Sequence, residues 1–352
     1  MPATAARVRP EVERETSPRI FRCASRLVTI AGWAPPRRLS TEELERTLAN
    51  SGRLPDLAVA QRSGVVERRV SEQGLDILDM ALQASRKALA QAEAQGVSVE
   101  DLDLILYCGV CRQYVEPATA AVLHGMLGLK RATAFDVSDA CLGFIDGWMV
   151  ADAMIATGRA RRALVVSAEA GTHYGRLAMK ALMDGGDPRV HFASLTLGDG
   201  AAAAVLAPRG GRPDGFLKGM RETHGEHHDL CVIPRSEEPM TSHASRLLSV
   251  GLRHFEENAR AVIHASGWKV DDVDLVVPHQ ASSLVIERGR EALGISPDKV
   301  AVTVDRFGNM ASVAVPFALA NALEEERVGK GSKVLITGFG SGLGVGMLSL
   351  QL

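Results

Sequence analysis

Three residues stand where their types and surroundings permit acyl chemistry: Cys141, His279 and Asn309. Cys141 follows the apolar run ATAFDV (132–137) and opens a long apolar segment that reads as a helix. Unpaired N–H groups and the positive end of the helix dipole favour a thiolate at such a position, which would make it a nucleophile. The same place also suits a small buried hydrophobe, the commoner fate of a free cysteine. His279 ends the strand-like LVVPHQA (275–281), where α/β sheets gather ligand groups. A histidine satisfied by a backbone partner is the plainer reading of that position. Asn309, in DRFGNMAS (305–312), precedes a helix and taken alone is a cap. What links them is spacing: Cys141 and Asn309 lie 309 − 141 = 168 apart, close to the period of an internal repeat, so both are expected at corresponding points of two halves.

The repeat shows in two separated places. SVEDLDLILYC (98–108) resembles KVDDVDLVVPH (269–279), with Leu104 answering Leu275 at 275 − 104 = 171, and GRARRALVVSAE from Gly158 answers GKGSKVLITGFG from Gly329, again at 171. Solenoid repeats run about 20–50 residues, so a period this long indicates a duplicated domain. Each half alternates amphipathic helices, such as the one predicted from Leu75, with short apolar strands, the pattern of an α/β fold with helix-covered sheets. CLGFIDGWMVADAMIATG (141–158) is apolar on nearly every face and is predicted to be a central helix. Its Gly143, Gly147 and Ala151 recur every four residues, a spacing expected to admit another helix. MASVAVPFALANAL, from Met310, is its counterpart. The expected organisation is a flexible tail at 1–20, a first half over 21–210 with the cysteine, and a second half over 211–352 with the histidine and asparagine.

Composition narrows the partners. The 40 basic and 42 acidic residues leave a net charge of −2 and no cationic footprint for nucleic acid. No secretory pattern and no apolar run near the roughly 20 residues of a membrane span is present, and five cysteines suit a reducing compartment, so a cytoplasmic protein is expected. Cys108 and Cys111 form a single C-x-x-C expected to be ordinary packing, and HGEHHD (224–229) reads as a solvated loop. No metal site is expected.

FDVSDACLGF, VVPHQAS, FGNMASVAVP, LGDGAAAAVLA (197–207) and GFGSGLG (338–344) together resemble the β-ketoacyl-ACP synthase III group of the thiolase superfamily, from about Arg26 to Leu352. The resemblance implies a homodimer with a five-layer αβαβα fold, using acyl-CoA or acyl carrier protein thioesters and no cofactor. It makes Cys141 the acylated nucleophile, gives the backbone N–H groups of Cys141 and Ser341 the oxyanion hole, and sets His279 and Asn309 on the carbonyl of the second thioester. AVAQRSG keeps Arg62 and Gly64 of the coenzyme A-binding pattern but has Ala58 where that group carries a tryptophan. RQYVEPATAA (112–121) puts Glu116 where the group has an apolar residue, similar to OleA-type enzymes, which join two acyl thioesters head to head with such a glutamate from the partner subunit as base. An unactivated acyl thioester must lose a weakly acidic α-proton, whereas a malonyl thioester generates its carbanion by losing carbon dioxide. Glu116 also fits a solvent-facing residue at a helix start. Decarboxylative condensation, acyl transfer to an alcohol or amine, and a non-catalytic partner subunit remain as alternatives.

Overall fold

The computed structural model describes residues 18–50, 57–71, 76–234, 238–253 and 255–352. Residues 1–17, most of the expected tail, lie outside the described residues, and Ile20 already opens a strand. Alternation along the strands dictates the layering. In Leu104–Tyr107, Leu104 and Leu106 join one apolar cluster while Ile105 and Tyr107 join another on the opposite face. Leu275–Pro278 does the same, Leu275 and Val277 facing the first cluster and Val276 a third. A strand apolar on both faces must be covered on both faces.

Two five-stranded mixed sheets result. The first runs Ser25–Trp33, Asp199–Pro208, Ala163–Ala170, Leu104–Tyr107 and Thr133–Asp136 in spatial order. The second runs Ile20–Arg22, Gly215–Thr223, Gly344–Gln351, Lys333–Gly340 and Leu275–Pro278. Between them lie the helices Gly143–Ala156 and Ala314–Glu324, whose Phe144, Trp148, Val315 and Leu319 share one core with residues of both sheets. Ile77–Ala94, opened by a capping box of Asp76 and Asp79, covers the outer face of the first sheet, and Phe255–Ala265 with Ser283–Leu293 covers that of the second. This is the five-layer αβαβα arrangement of the thiolase fold.

The duplication corrects one inference from spacing. Ala140 and Ala311, 171 apart, both adopt left-handed backbone at φ 46° and 44°, and each opens a 3₁₀ turn, Ala140–Leu142 and Ala311–Val313, that leads into a central helix. At this period Cys141 answers Ser312, not Asn309. Asn309 reaches the site from three residues before the equivalent point.

The glycines of the first central helix also differ from expectation, because they admit a strand end and not another helix. A Cβ at Gly143 would collide with the carbonyl oxygen of Cys108, and one at Gly147 with Cys108 Sγ and, at 2.9 Å, with Val165. Cys108 therefore packs at the foot of the nucleophile helix, fully buried. Gly147→Ala is expected to overpack this contact and destabilise the protein by about 1–3 kcal/mol, read as a lower denaturation midpoint; an unchanged midpoint would show the contact to be loose.

Candidate active site

Cys141 stands in the 3₁₀ turn ahead of Gly143–Ala156, at the end of the chain segment that leaves the edge strand Thr133–Asp136. The hairpin of Lys333–Gly340 and Gly344–Gln351 closes on it: a Cβ at Gly340 would lie 3.3 Å from Cys141 N and 3.4 Å from Cys141 Cβ. GFGSGLG is thus the close approach of a hairpin to the first turn of the nucleophile helix, with Ser341 in the hairpin's turn. Burial pushes the Cys141 thiol up, and the neighbouring Cys231, Glu169 and Asp139 add to this. This desolvation opposes the thiolate that the helix terminus favours.

His279 follows the strand Leu275–Pro278, its N–H donating to Thr337 O at 2.8 Å. The next residue fixes the turn. Gln280, fully buried, donates to Pro278 O and Ala301 O and accepts from Thr303 N and Val304 N. The His279 ring is 4% exposed, lies edge-on to Phe339, and among the described residues its Nδ1 has no hydrogen-bond partner. Burial holds its pKa down to about 4, which favours the neutral imidazole at physiological pH.

Asn309 is clamped from both sides of its peptide: its N–H donates to Thr196 O at 2.9 Å and its carbonyl accepts from Gly198 N at 3.0 Å. LGDG explains this. Gly198 and Gly308 leave no space for a Cβ where the two segments cross, and Asp199 anchors the crossing through Ser71 and Thr172. Asn309 Oδ1 accepts from Ala311 N at 2.9 Å, which leaves its NH₂ group as a donor.

Cys141, His279, Asn309 and Ser341 line one cavity of about 510 Å³, with Arg62 at its rim, where the guanidinium lies 4.3 Å from the Phe192 ring centroid. Such a volume suits a small-molecule site. Its far wall is apolar and comes from Ile233, Met240, Leu247 and Leu248, residues whose role spacing did not reveal. Glu116 is not in this cavity. It is exposed on its own chain beside Tyr114 and Val115, 48% and 90% exposed. Cys111, expected to be packing alone, lines the cavity, as do Cys231 and Glu169, which drew no attention in the sequence because neither sits in a recognisable motif. HGEHHD runs into the 3₁₀ segment Gly225–Leu230, and His224 before it and His227 within it each approach Glu226 at 4.0 Å.

Two like halves that bring a cysteine, a histidine and an asparagine to one cavity at the starts of buried central helices define a thiolase-fold condensing enzyme, an acyltransferase. The profile for 3-oxoacyl-[acyl-carrier-protein] synthase III matches residues 135–225, and that for its C-terminal part matches 263–352. Full-length likeness agrees: β-ketoacyl-[acyl-carrier-protein] synthase III of Symbiobacterium thermophilum is 35% identical over 92% of this chain and 97% of its own, and synthase III 1 of Bacillus cereus is 30% identical over 92% and 98%. The chain belongs to the β-ketoacyl-ACP synthase III family. Among solved structures, a cysteine variant of Xanthomonas campestris OleA superposes with a TM-score of 0.86 at 29% identity, covering 94% of this chain and 99% of that one. Synthase III of Xanthomonas oryzae gives 0.84 at 30%, covering 94% and 100%.

The buried imidazole has a measurable consequence. Unfolded, a histidine titrates near 6.5; folded, His279 titrates at about 4, so between these values the unfolded chain binds the extra proton. The stability owed to neutral His279 is whole above pH 6.5 and is lost as pH falls towards 4. Histidine-selective NMR is expected to give His279 a midpoint near 4, and a midpoint near 6.5 would show that the ring is solvated.

Proposed function

We propose that this enzyme joins two acyl thioesters head to head through an acyl group carried on Cys141. The observation that carries the reading is the convergence of Cys141, His279 and Asn309 on one cavity with an apolar far wall. The OleA cysteine variant to which this chain is similar holds lauric acid and lauroyl-CoA, and a site of this shape and lining fits the same class of ligand.

In the first step Cys141 Sγ bonds to the thioester carbonyl carbon, the bond from that carbon to the carrier sulfur breaks, and the thiol's proton leaves with the carrier thiol. The backbone N–H groups of Cys141 and Ser341 face the oxyanion of the tetrahedral intermediate. Arg62 at the rim takes the polyanionic end of the carrier.

In the second step the carbonyl of a second thioester accepts hydrogen bonds from His279 and the Asn309 amide. Glu116, supplied by the partner subunit of a homodimer, removes the α-proton. The resulting enolate attacks the acyl carbon, the bond from that carbon to Sγ breaks, and the thiolate recovers a proton from Glu116. Exposure of Glu116 on its own chain, beside the exposed Tyr114 and Val115, supports a role across an interface. No cofactor enters this scheme. The names of the curated relatives favour a second reading, in which malonyl carrier protein loses carbon dioxide and Glu116 has no role in proton removal.

Cys141→Ser is expected to abolish acyl-enzyme formation, since a hydroxyl is a much weaker nucleophile than a thiol. Intact-protein mass spectrometry after mixing with lauroyl-CoA checks this, and an adduct on another residue would refute the assignment. His279→Ala and Asn309→Ala are expected to acylate yet lose about 10²–10³ in condensation rate. Wild type given lauroyl-CoA alone is expected to form β-keto product, and Glu116→Gln to acylate normally while its condensation falls about 10²-fold or more. Product only when malonyl thioester is added would establish the decarboxylative reading instead.

A further inference from the structure

Glu169 is the only carboxylate that lines the catalytic cavity among the described residues, and it is 1% exposed. A buried carboxylate is expensive unless its lone pairs are used, and three contacts use them. Oε1 accepts from Val110 N at 2.9 Å and from the Ser312 hydroxyl, and Oε2 accepts from Cys111 N at 3.0 Å. Ser312 in turn meets Ser167 Oγ at 2.5 Å. With the Ser312 proton committed to the carboxylate, Ser167 is the donor in that contact.

The two ends of this cluster belong to different parts of the site. Ser312 is the duplication partner of Cys141, and a Cβ at Gly143 of the nucleophile helix would lie 3.7 Å from Ser312 Cβ. It shares its 3₁₀ turn with Ala311, whose N–H holds the Asn309 amide oxygen. Val110 and Cys111 lead directly into the exposed 112–117 segment that ends at Glu116 and Pro117. We propose that the Glu169 carboxylate is a positioning residue for the condensation step, tying the Asn309 turn through Ser312 to the root of the Glu116 segment through Val110 and Cys111. It touches no reacting atom in this scheme. It sets where the second thioester's carbonyl donor stands and where the 112–117 segment leaves the core. The acylation step uses the oxyanion donors of Cys141 and Ser341, to which Glu169 is not bonded, so the two half-reactions respond differently to its loss. The inference rests on the acyl-Cys141 reading of the site.

The test separates the half-reactions in Glu169→Gln, Ser312→Ala and the double variant. In Glu169→Gln the amide group turns a donor towards one of three donors. In Ser312→Ala the tie to the Asn309 turn is cut while the backbone bonds remain. Acylation is followed by intact-protein mass spectrometry with lauroyl-CoA, and condensation by product formation with whichever second thioester, acyl or malonyl, wild type consumes. Ser312→Ala is expected to acylate at close to the wild-type rate, Glu169→Gln to change far less in acylation than in condensation because its charge also bears on the Cys141 thiol, and both to lose about 10–100-fold in condensation turnover, the scale on which a displaced group far from the bond-making atoms acts. The double variant is expected to lose no more than Glu169→Gln alone, because the two residues act as one unit. Parallel loss of acylation and condensation, unchanged condensation, or fully additive losses would each overturn the proposal. Should Glu169→Gln not fold, Ser312→Ala decides the matter by the same comparison. Wild type that takes no acyl group on Cys141 would refute the reading of the site itself, an outcome distinct from variants that leave condensation intact in an acylating enzyme.

Discussion

Burial of two helices that are apolar on nearly every face is the constraint on which the rest depends. Neither Gly143–Ala156 nor Ala314–Glu324 has a polar stripe to present to water, so each must be enclosed, and only a sheet on either side encloses both. The consequence is chemical as well as structural. The opening turns of both helices meet inside the sandwich, and Cys141 and Ala311 in those turns line one cavity. Cys141 and Ser312 occupy equivalent places in those turns, each behind an alanine in left-handed backbone, a conformation kept only where the surroundings enforce it. The duplication put two small polar residues face to face and gave them different work.

Burial sets the electrostatics of the site, raising the Cys141 thiol and lowering the His279 imidazole. Fixed dipoles take the place of ions: the N–H groups of the opening turn, the Asn309 amide held by Ala311 N, and the hairpin turn at Ser341. Such preorganised donors gain strength where water is excluded. Besides Glu169 and Arg62 on the cavity, one ion cluster sits to one side. Arg221 binds both Asp139 and Asp146 beneath the nucleophile turn, and burial together with the hydrogen bond to Asp139 lifts Asp146 to about 7 despite that cation. The guanidinium offsets the cost of two carboxylates near a buried thiol.

The segment running from Gly225–Leu230 through the short pairing of Cys231–Val232 with Thr241–Ser242 to the helix Ala244–Leu252 adds what the duplicated core lacks. It lays Cys231, Ile233, Met240, Leu247 and Leu248 against the cavity and gives it an apolar far wall. Part of the cavity lining thus comes from a segment outside the central layers, where variation is tolerated.

Periodicity was enough to read the architecture, and the family resemblance singled out Cys141, His279 and Asn309, which the structure brings to one cavity. Two-residue alternation in Leu104–Tyr107 and Leu275–Pro278 encodes strands covered on both faces, and an all-round apolar helix encodes a central layer, because these patterns follow from local geometry alone. The positions of Cys141, His279 and Asn309 at junctions of a strand or loop with such an element were legible in the same way, while their candidate roles came from the motifs around them. Tertiary structure alone decided the rest. The 168-residue interval between Cys141 and Asn309 looked like the repeat, yet the left-handed alanines put Cys141 opposite Ser312, since three residues more or less in a loop leave no periodic trace. The glycines of the nucleophile helix were visible, but whether a helix or the end of a strand lay against them depended on packing with Cys108. The desolvation that raises the Cys141 thiol is a property of its whole surroundings and not of the chain segment alone. Glu169 and the apolar far wall belong to the cavity through contacts spanning more than a hundred residues, and a linear sequence does not record which distant groups share one small volume.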